Sequence, residues 1–193
     1  MSYTLHDPEI GRGISFRKAT VGDDLYRVHD WMNRDHVIPF WDLARPVEGI
    51  RDYIEENIND AHQTPYIGCL DGEPMSYWEA YSVPGDIVGR YYDADPADRG
   101  VHLLIGPPEY LGRGLALPLL RAMTAFQFSY PHTQRIVAEP DARNERMIHV
   151  FEQCGYVKQK EIDLPDKRAA LMFCDKVAFD ELFGALFAEE VSR

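Results

Sequence analysis

The chain has 193 residues, 45% apolar and 27% charged, which suits one packed domain burying about two-thirds of the surface its unfolded chain would expose. That composition excludes intrinsic disorder, collagen-like sequence and a disulfide scaffold. Twenty Lys+Arg against 32 Asp+Glu leave a net charge of −12, which repels phosphate backbones and anionic lipid, so neither nucleic acid nor a membrane is an expected partner.

Residues 1–12 are polar, with Pro8, Gly11 and nearby Gly13, and read as a loose or edge-lying N-terminal arm ahead of a single domain over 13–193. A first strand is expected near Ile14–Lys18. Thr20 is a plausible N-cap for a helix carrying Leu25, Val28, His29 and Met32 at helical spacing, and a second helix runs from Val47 to about Ala61. Pro65–Leu70 and Pro74–Tyr81 form a hairpin around the Asp71-Gly72 turn. The Pro84–Gly100 stretch is a loop around one short strand near Ile87–Tyr91. Val101–Ile105 is a strand with Val101, Leu103 and Ile105 on one face and His102 and Leu104 on the other. Gly112-Arg113-Gly114 opens an apolar helix, then come a strand at Arg135–Ala138 and a helix over Asn144–Cys154 closed by Gly155. Strands near Tyr156–Ile162 and Ala169–Cys174 and a last helix from Lys176 to about Glu190 complete an α+β plan on a mixed sheet.

The N-terminal residues have neither a basic region nor an apolar run, and no stretch nears the roughly 18 apolar residues of a membrane span, so a cytoplasmic protein is expected. Cys69, Cys154 and Cys174 are far apart and read as buried thiols in a reducing compartment. They lack ligand spacing, and the seven histidines contain no His-x-x-x-His pair, so no metal is expected.

The strongest physical signal is the strand–loop–helix over Val101–Ala116. Gly112 and Gly114 let the backbone approach a ligand closely, and the unpaired amides at the start of the following helix favour an anion such as phosphate. A purely structural glycine turn is the other reading. The spacing matches neither the nucleoside-triphosphate nor the dinucleotide motif.

Leu111-Gly-Arg-Gly-Leu-Ala116 resembles the pyrophosphate loop of the GCN5-related N-acetyltransferases (GNAT superfamily), Gln/Arg-x-x-Gly-x-Gly/Ala, with Leu111 departing at the first position. Five further segments are similar to the hydroxamate-siderophore branch, which includes the aerobactin and rhizobactin N-acetyltransferases and the mycobactin lysine N-acyltransferase. They are 31–41 (Trp31 to Trp41), Tyr77-Trp-Glu-Ala-Tyr81, His102-Leu-Leu-Ile-Gly106, Glu139-Pro-Asp-Ala-Arg-Asn144 and 164–172 (Leu164 to Met172). The resemblance implies a GNAT fold, with helices flanking a central mixed, mostly antiparallel sheet. It also implies transfer of an acyl group from acetyl-CoA or another short acyl-CoA to the N-hydroxylated side-chain amine of lysine or a diamine, in a monomer or homodimer.

Acyl transfer to nitrogen needs a proton acceptor, an oxyanion donor and a proton for the leaving thiolate. His102, with an ordinary pKa near 6.5, suits the first task at neutral pH, and Asp141 is placed to orient it. A half-buried strand histidine and a turn-capping aspartate are the bland reading; the family motifs favour the active-site pair. By resemblance, CoA contacts Leu103, Leu104, Ile105, Leu111, Gly112, Arg113, Gly114, Leu115, Ala116 and Asn144, the last also an N-cap on physical grounds. Trp31, Phe40, Trp41, Tyr77, Trp78 and Tyr81 form an aromatic cluster whose bland reading is core, while some of Trp31, Phe40, Trp41, Trp78 and Tyr81 are expected to wall the acceptor channel. Glu79, Glu139 and Lys167 lie in matching motifs, with Glu79 or Glu139 either holding the far ammonium of a diamine or standing as a solvated surface charge. Two alternatives are a GNAT acetyltransferase for an unmodified amine (polyamine, antibiotic or protein N-terminus) and a non-catalytic acyl-CoA-binding module.

Overall fold

The computed structural model describes residues 2–187. Eight strands form one mixed sheet in the order β1-β2-β3-β4-β5-β6-β8-β7. They are β1 (Tyr3–Asp7), β2 (Arg12–Lys18), β3 (Gln63–Leu70), β4 (Glu73–Ser82), β5 (Arg99–Ile105), β6 (Arg135–Ala138), β7 (Val157–Asp163) and β8 (Arg168–Asp175). The helices are α1 (Val21–Met32), the single turn α2 (Ile38–Trp41), α3 (Val47–Asn59), α4 (Ala116–Phe128), α5 (Glu145–Gln153) and α6 (Lys176–Phe187). No helix among the described residues is long and apolar enough to cross a membrane.

Sequence chemistry sets the boundaries. Thr20 caps α1 by accepting from the Asp23 amide at 3.2 Å. Asp71 and Gly72 both adopt positive φ, the conformation of the tightest hairpin turns, and join β3 to β4. α4 is apolar almost all round and is buried accordingly, with Leu119, Leu120, Met123 and Phe126 against the sheet. It shares that face with α5 and α6, while α1 and α3 cover the other with Leu25, Val28, Ile50 and Ile54.

Three expectations need correction. The arm over residues 1–12 is not loose: Tyr3–Asp7 pairs antiparallel with β2 at the sheet edge. Leu5 is buried, and Arg121 of α4 binds Asp7 and Glu9 at 2.6 Å each. The Ile87–Tyr91 strand is a 3-10 turn, Ile87–Arg90, because the Asp86 carboxylate accepts the Val88 amide at 2.8 Å and starts a turn instead of a ladder. The Gly112 loop stays non-helical until Ala116. The expected end of the last helix at Glu190 lies outside the described residues.

Arg121 is 1% exposed and Asp7 2%, so removing the cation strands a buried carboxylate. Arg121→Ala is expected to cost about 3–5 kcal/mol in denaturant unfolding. Arg121→Met combined with Asp7→Asn should cost less than Arg121→Ala alone, since no buried charge is then left unpaired; Glu9, which also loses its partner, is exposed to water.

Candidate active site

β5 and β6 run parallel but pair only at Arg99↔Ile136 and Gly100↔Val137. β5 stays paired with β4 up to Ile105. Beyond Gly100 the two strands diverge, leaving the β6-facing backbone edge of Val101–Ile105 open to an extended ligand. The loop that follows carries Gly112 at φ 69° and Gly114 at φ 73°, with no atom within 4 Å of a Cβ placed on either. The first-turn amides of α4 have no side-chain cap. Open space, left-handed glycines and uncapped amides fit a pyrophosphate, and the open strand edge fits an amide-bearing arm.

A cavity of about 360 Å³ occupies the split. Val101, Leu103, Met147 and Phe151 line it from the α4–α5 face, and Phe40, Trp41, Tyr53, Glu79 and His102 from the α1–α3 face. Strand alternation explains the division. Ser76, Trp78 and Ala80 point to one side of β4, and Tyr77, Glu79 and Tyr81 to the other.

His102 lies at the centre, fixed at both ring nitrogens. Glu79 Oε2 stands 3.1 Å from Nδ1, and Glu139 Oε1 is bonded to Nε2. The register places Glu79 directly opposite His102 across β4–β5, whereas Glu139 reaches over the split from the end of β6. Burial opposes a charged imidazole here, but the two carboxylates outweigh it and push its pKa up to about 10. Burial likewise opposes ionisation of Glu139; His102, Lys167 and the Tyr81 hydroxyl overcome it and hold the carboxyl below its ordinary range. The two carboxylates thus favour the imidazolium over the neutral imidazole base that an ordinary pKa implies.

The expected His102–Asp141 pair is not formed. Arg143, two residues on, wraps the Asp141 carboxylate: its amide and Nε donate to Oδ1 at 2.8 and 2.9 Å, and Nη2 to Oδ2 at 2.7 Å. These bonds hold the Asp141 pKa down. Asp141 thus shapes the turn before α5, although it also lines the cavity.

Of the expected acceptor wall, Phe40, Trp41, Glu79, Glu139 and Lys167 line the cavity. Trp41 meets His102 edge-on at 6.3 Å. Tyr81 is buried beside His102 and donates to Glu139 Oε2 at 2.7 Å, so it holds the carboxylate and is not itself a wall. Trp31 and Trp78 are core residues. Trp31 packs on Gly106, and Trp78 faces Phe16 on the side of β4 opposite Glu79, its indole donating to Ser76.

On the donor side, Leu103 and Asn144 line the cavity, and Asn144 also caps α5 by accepting from the Met147 amide at 3.2 Å. Ile105 is half-buried against the α4 core, next to the open edge. Leu111, Gly112, Arg113 and Gly114 are exposed, and Leu115 and Ala116 half-buried, around the helix start. The Leu104 side chain is buried in the α1–α3 core and offers only its backbone.

Tyr53, Asp42, Arg45, Met147, Phe151 and Asp166 line the cavity without having been singled out from the sequence. Met147 and Phe151 were accessible to that reading, falling three and seven residues after Asn144 on one face of α5. The cysteines are free and buried, and burial pushes the Cys154 thiol up to about 12.

A cavity lined by residues from both faces of one sheet suits a site where two reactants meet. Comparison with known proteins gives the family. Residues 20–164 match the acetyltransferase (GNAT) domain, and the chain belongs to that family. The N(6)-hydroxylysine O-acetyltransferase of Escherichia coli is 37% identical over 178 residues, 92% of this chain and 56% of that protein, so the chain spans little more than half of that relative. An uncharacterized protein from Bacillus halodurans superposes with a TM-score of 0.93 at 43% identity, covering 98% of this chain and 97% of that one. The aminoglycoside acetyltransferase AAC(6')-Ib, solved with coenzyme A, gives 0.80 at 29% identity over 87% of this chain and 98% of that one.

Proposed function

We propose that the protein transfers a short acyl group from acyl-CoA to the N-hydroxylated side-chain amine of lysine or a diamine, giving a hydroxamate in siderophore biosynthesis. One observation carries this reading: His102 is held between Glu79 and Glu139 with neither ring nitrogen free. A site whose imidazole is already charged has no strong base to strip an ammonium group, so it suits a nitrogen that arrives neutral. N-hydroxylation withdraws electrons and leaves an amine largely neutral at pH 7. The likeness to an N(6)-hydroxylysine O-acetyltransferase supports a hydroxylated amine as acceptor, although that name places the acetyl group on oxygen. When bound, acyl-CoA supplies the activated acyl group, its pyrophosphate held at Gly112–Ala116 and its arm along Leu103–Ile105. Phe40 and Trp41 wall the acceptor, and the acidic lining favours a cationic molecule over an anionic one.

A plain amine is the second reading, favoured by the likeness to an aminoglycoside acetyltransferase. The test offers acetyl- and succinyl-CoA with hydroxylated and plain lysine and diamines, read by mass and by the iron(III) colour that a hydroxamate gives and an O-acyl product does not. Hydroxamate formation is expected, with the preference for hydroxylated acceptors narrowing as pH rises and plain amines lose their proton. Acylation of plain amines alone establishes the second reading, and acyl-CoA binding with no acceptor acylated makes the protein a binding module.

A further inference from the structure

Resting on that reading, we infer that Glu139 is the catalytic group that takes the acceptor nitrogen's proton and passes it to the leaving sulfur, while Glu79 is a positioning residue that fixes His102.

The two carboxylates are alike in burial, each 4% exposed, and both line the cavity, but their acceptor capacity differs. A carboxylate offers about four lone-pair sites. Glu79 meets four donors: the Tyr53 hydroxyl, Asn57 Nδ2 at 2.9 Å and the Tyr77 hydroxyl at 3.2 Å crowd Oε1, and Oε2 faces His102, so at most one site, on Oε2, is left. Gln63 fixes the Asn57 amide by donating to its Oδ1 at 2.6 Å. Glu139 has two donors, His102 on Oε1 and Tyr81 on Oε2, so about two sites remain for a proton from substrate. His102 has none, because each ring nitrogen faces a carboxylate.

The step balances on one residue. The nitrogen lone pair adds to the thioester carbonyl carbon, forming the C–N bond, and the N–H proton passes to Glu139. The C–S bond breaks, and the departing sulfur takes that proton, returning Glu139 to a carboxylate. Glu139 is a weak base, which suffices because a nitrogen bonded to both hydroxyl and the new carbon is strongly acidic until it loses its proton. His102 stays charged and keeps Glu139 ionised between turnovers.

The experiment uses the full chain and a hydroxylated acceptor that the wild type turns over; a wild type that acylates none refutes the functional reading, not this assignment. Glu139→Gln is expected to lower kcat by roughly 10²–10⁴-fold with acyl-CoA Kd unchanged. Glu79→Gln should lose far less and move the alkaline limb of the pH–rate profile downward, since one carboxylate no longer supports the imidazolium. In ¹⁵N NMR of the wild type, both His102 nitrogens should be protonated at pH 8. Glu139→Gln with kcat within a few-fold of wild type, or a His102 titrating near 6.5, overturns the assignment. If Glu139→Gln does not bind acyl-CoA, Tyr81→Phe decides. Loss of one donor to Glu139 should move the acidic limb to higher pH, and an unmoved limb overturns the assignment.

Discussion

His102→Ala is expected to lower kcat for the hydroxylated acceptor by roughly 10²–10⁴-fold at neutral pH, with acyl-CoA affinity retained. Removing the imidazolium leaves Glu79 and Glu139 as neighbouring buried carboxylates with no cation between them. Like charges at close range raise the pKa of one of the pair, which then takes a proton and can no longer accept one. The deficit should therefore shrink as pH rises and the carboxylate ionises again, a recovery that loss of a neutral imidazole base would not give. Stability changes in the opposite sense. The folded-state pKa of His102 is raised from 6.5 to about 10, so its stabilising contribution is complete below about pH 6.5 and is lost as pH climbs through about 10. Thermal unfolding from pH 6 to 10 should show that loss in the wild type and not in His102→Ala. Because Arg143 holds Asp141, Asp141→Asn and His102→Ala should add in a double-mutant cycle, whereas a direct pair would make them strongly non-additive.

Gly114→Val is expected to raise the acyl-CoA KM roughly tenfold or more while kcat at saturation and the fold persist. The position has φ 73°, where a β-branched residue is a steric outlier costing about 1–3 kcal/mol. No neighbour lies within 4 Å of the added Cβ, so the loop can relax toward negative φ without a core clash. That relaxation turns the amides ahead of α4 away from a common point, and the site loses the geometry that binds an anion. Gly112→Val, at φ 69°, should act in the same direction. A variant with wild-type acyl-CoA affinity removes the pyrophosphate from this loop.

Much of this architecture was legible in the sequence. Turn chemistry at Asp71-Gly72, the Thr20 and Asn144 caps and the alternation in Val101–Ile105 reflect short-range sterics and burial, which a linear sequence records directly. Of the motif residues, Phe40, Trp41, Glu79, His102, Leu103, Glu139, Asp141, Asn144 and Lys167 line one cavity, whereas Trp31, Trp78 and Tyr81 do not. What the sequence left open were the partners of His102. Glu79 and Glu139 lie 23 and 37 residues away in the chain, and only the β4–β5 register and the strand split bring them to the ring. Asp141 looked like the natural partner, yet Arg143 competes for it from two residues away at little entropic cost. Trp78 beside Glu79 illustrates parity: neighbours on a strand face opposite ways, so the glutamate in the cavity already implied a tryptophan in the core. The N-terminal strand escaped because its anchor, Arg121, lies more than a hundred residues later.

The split in the sheet has a mechanical side. Within the sheet, two residue pairs alone, Arg99↔Ile136 and Gly100↔Val137, pin a five-stranded blade to a three-stranded one. An acyl-CoA arm bound along the free edge, as proposed, would bridge that joint and is expected to stiffen the two blades on loading. The pin also sets the chemistry. Gly100 has no side chain because a Cβ there would lie 2.0 Å from the Tyr81 ring, and Tyr81 is the residue that holds Glu139. A slip of the joint by one residue would carry Glu139 out of register with His102.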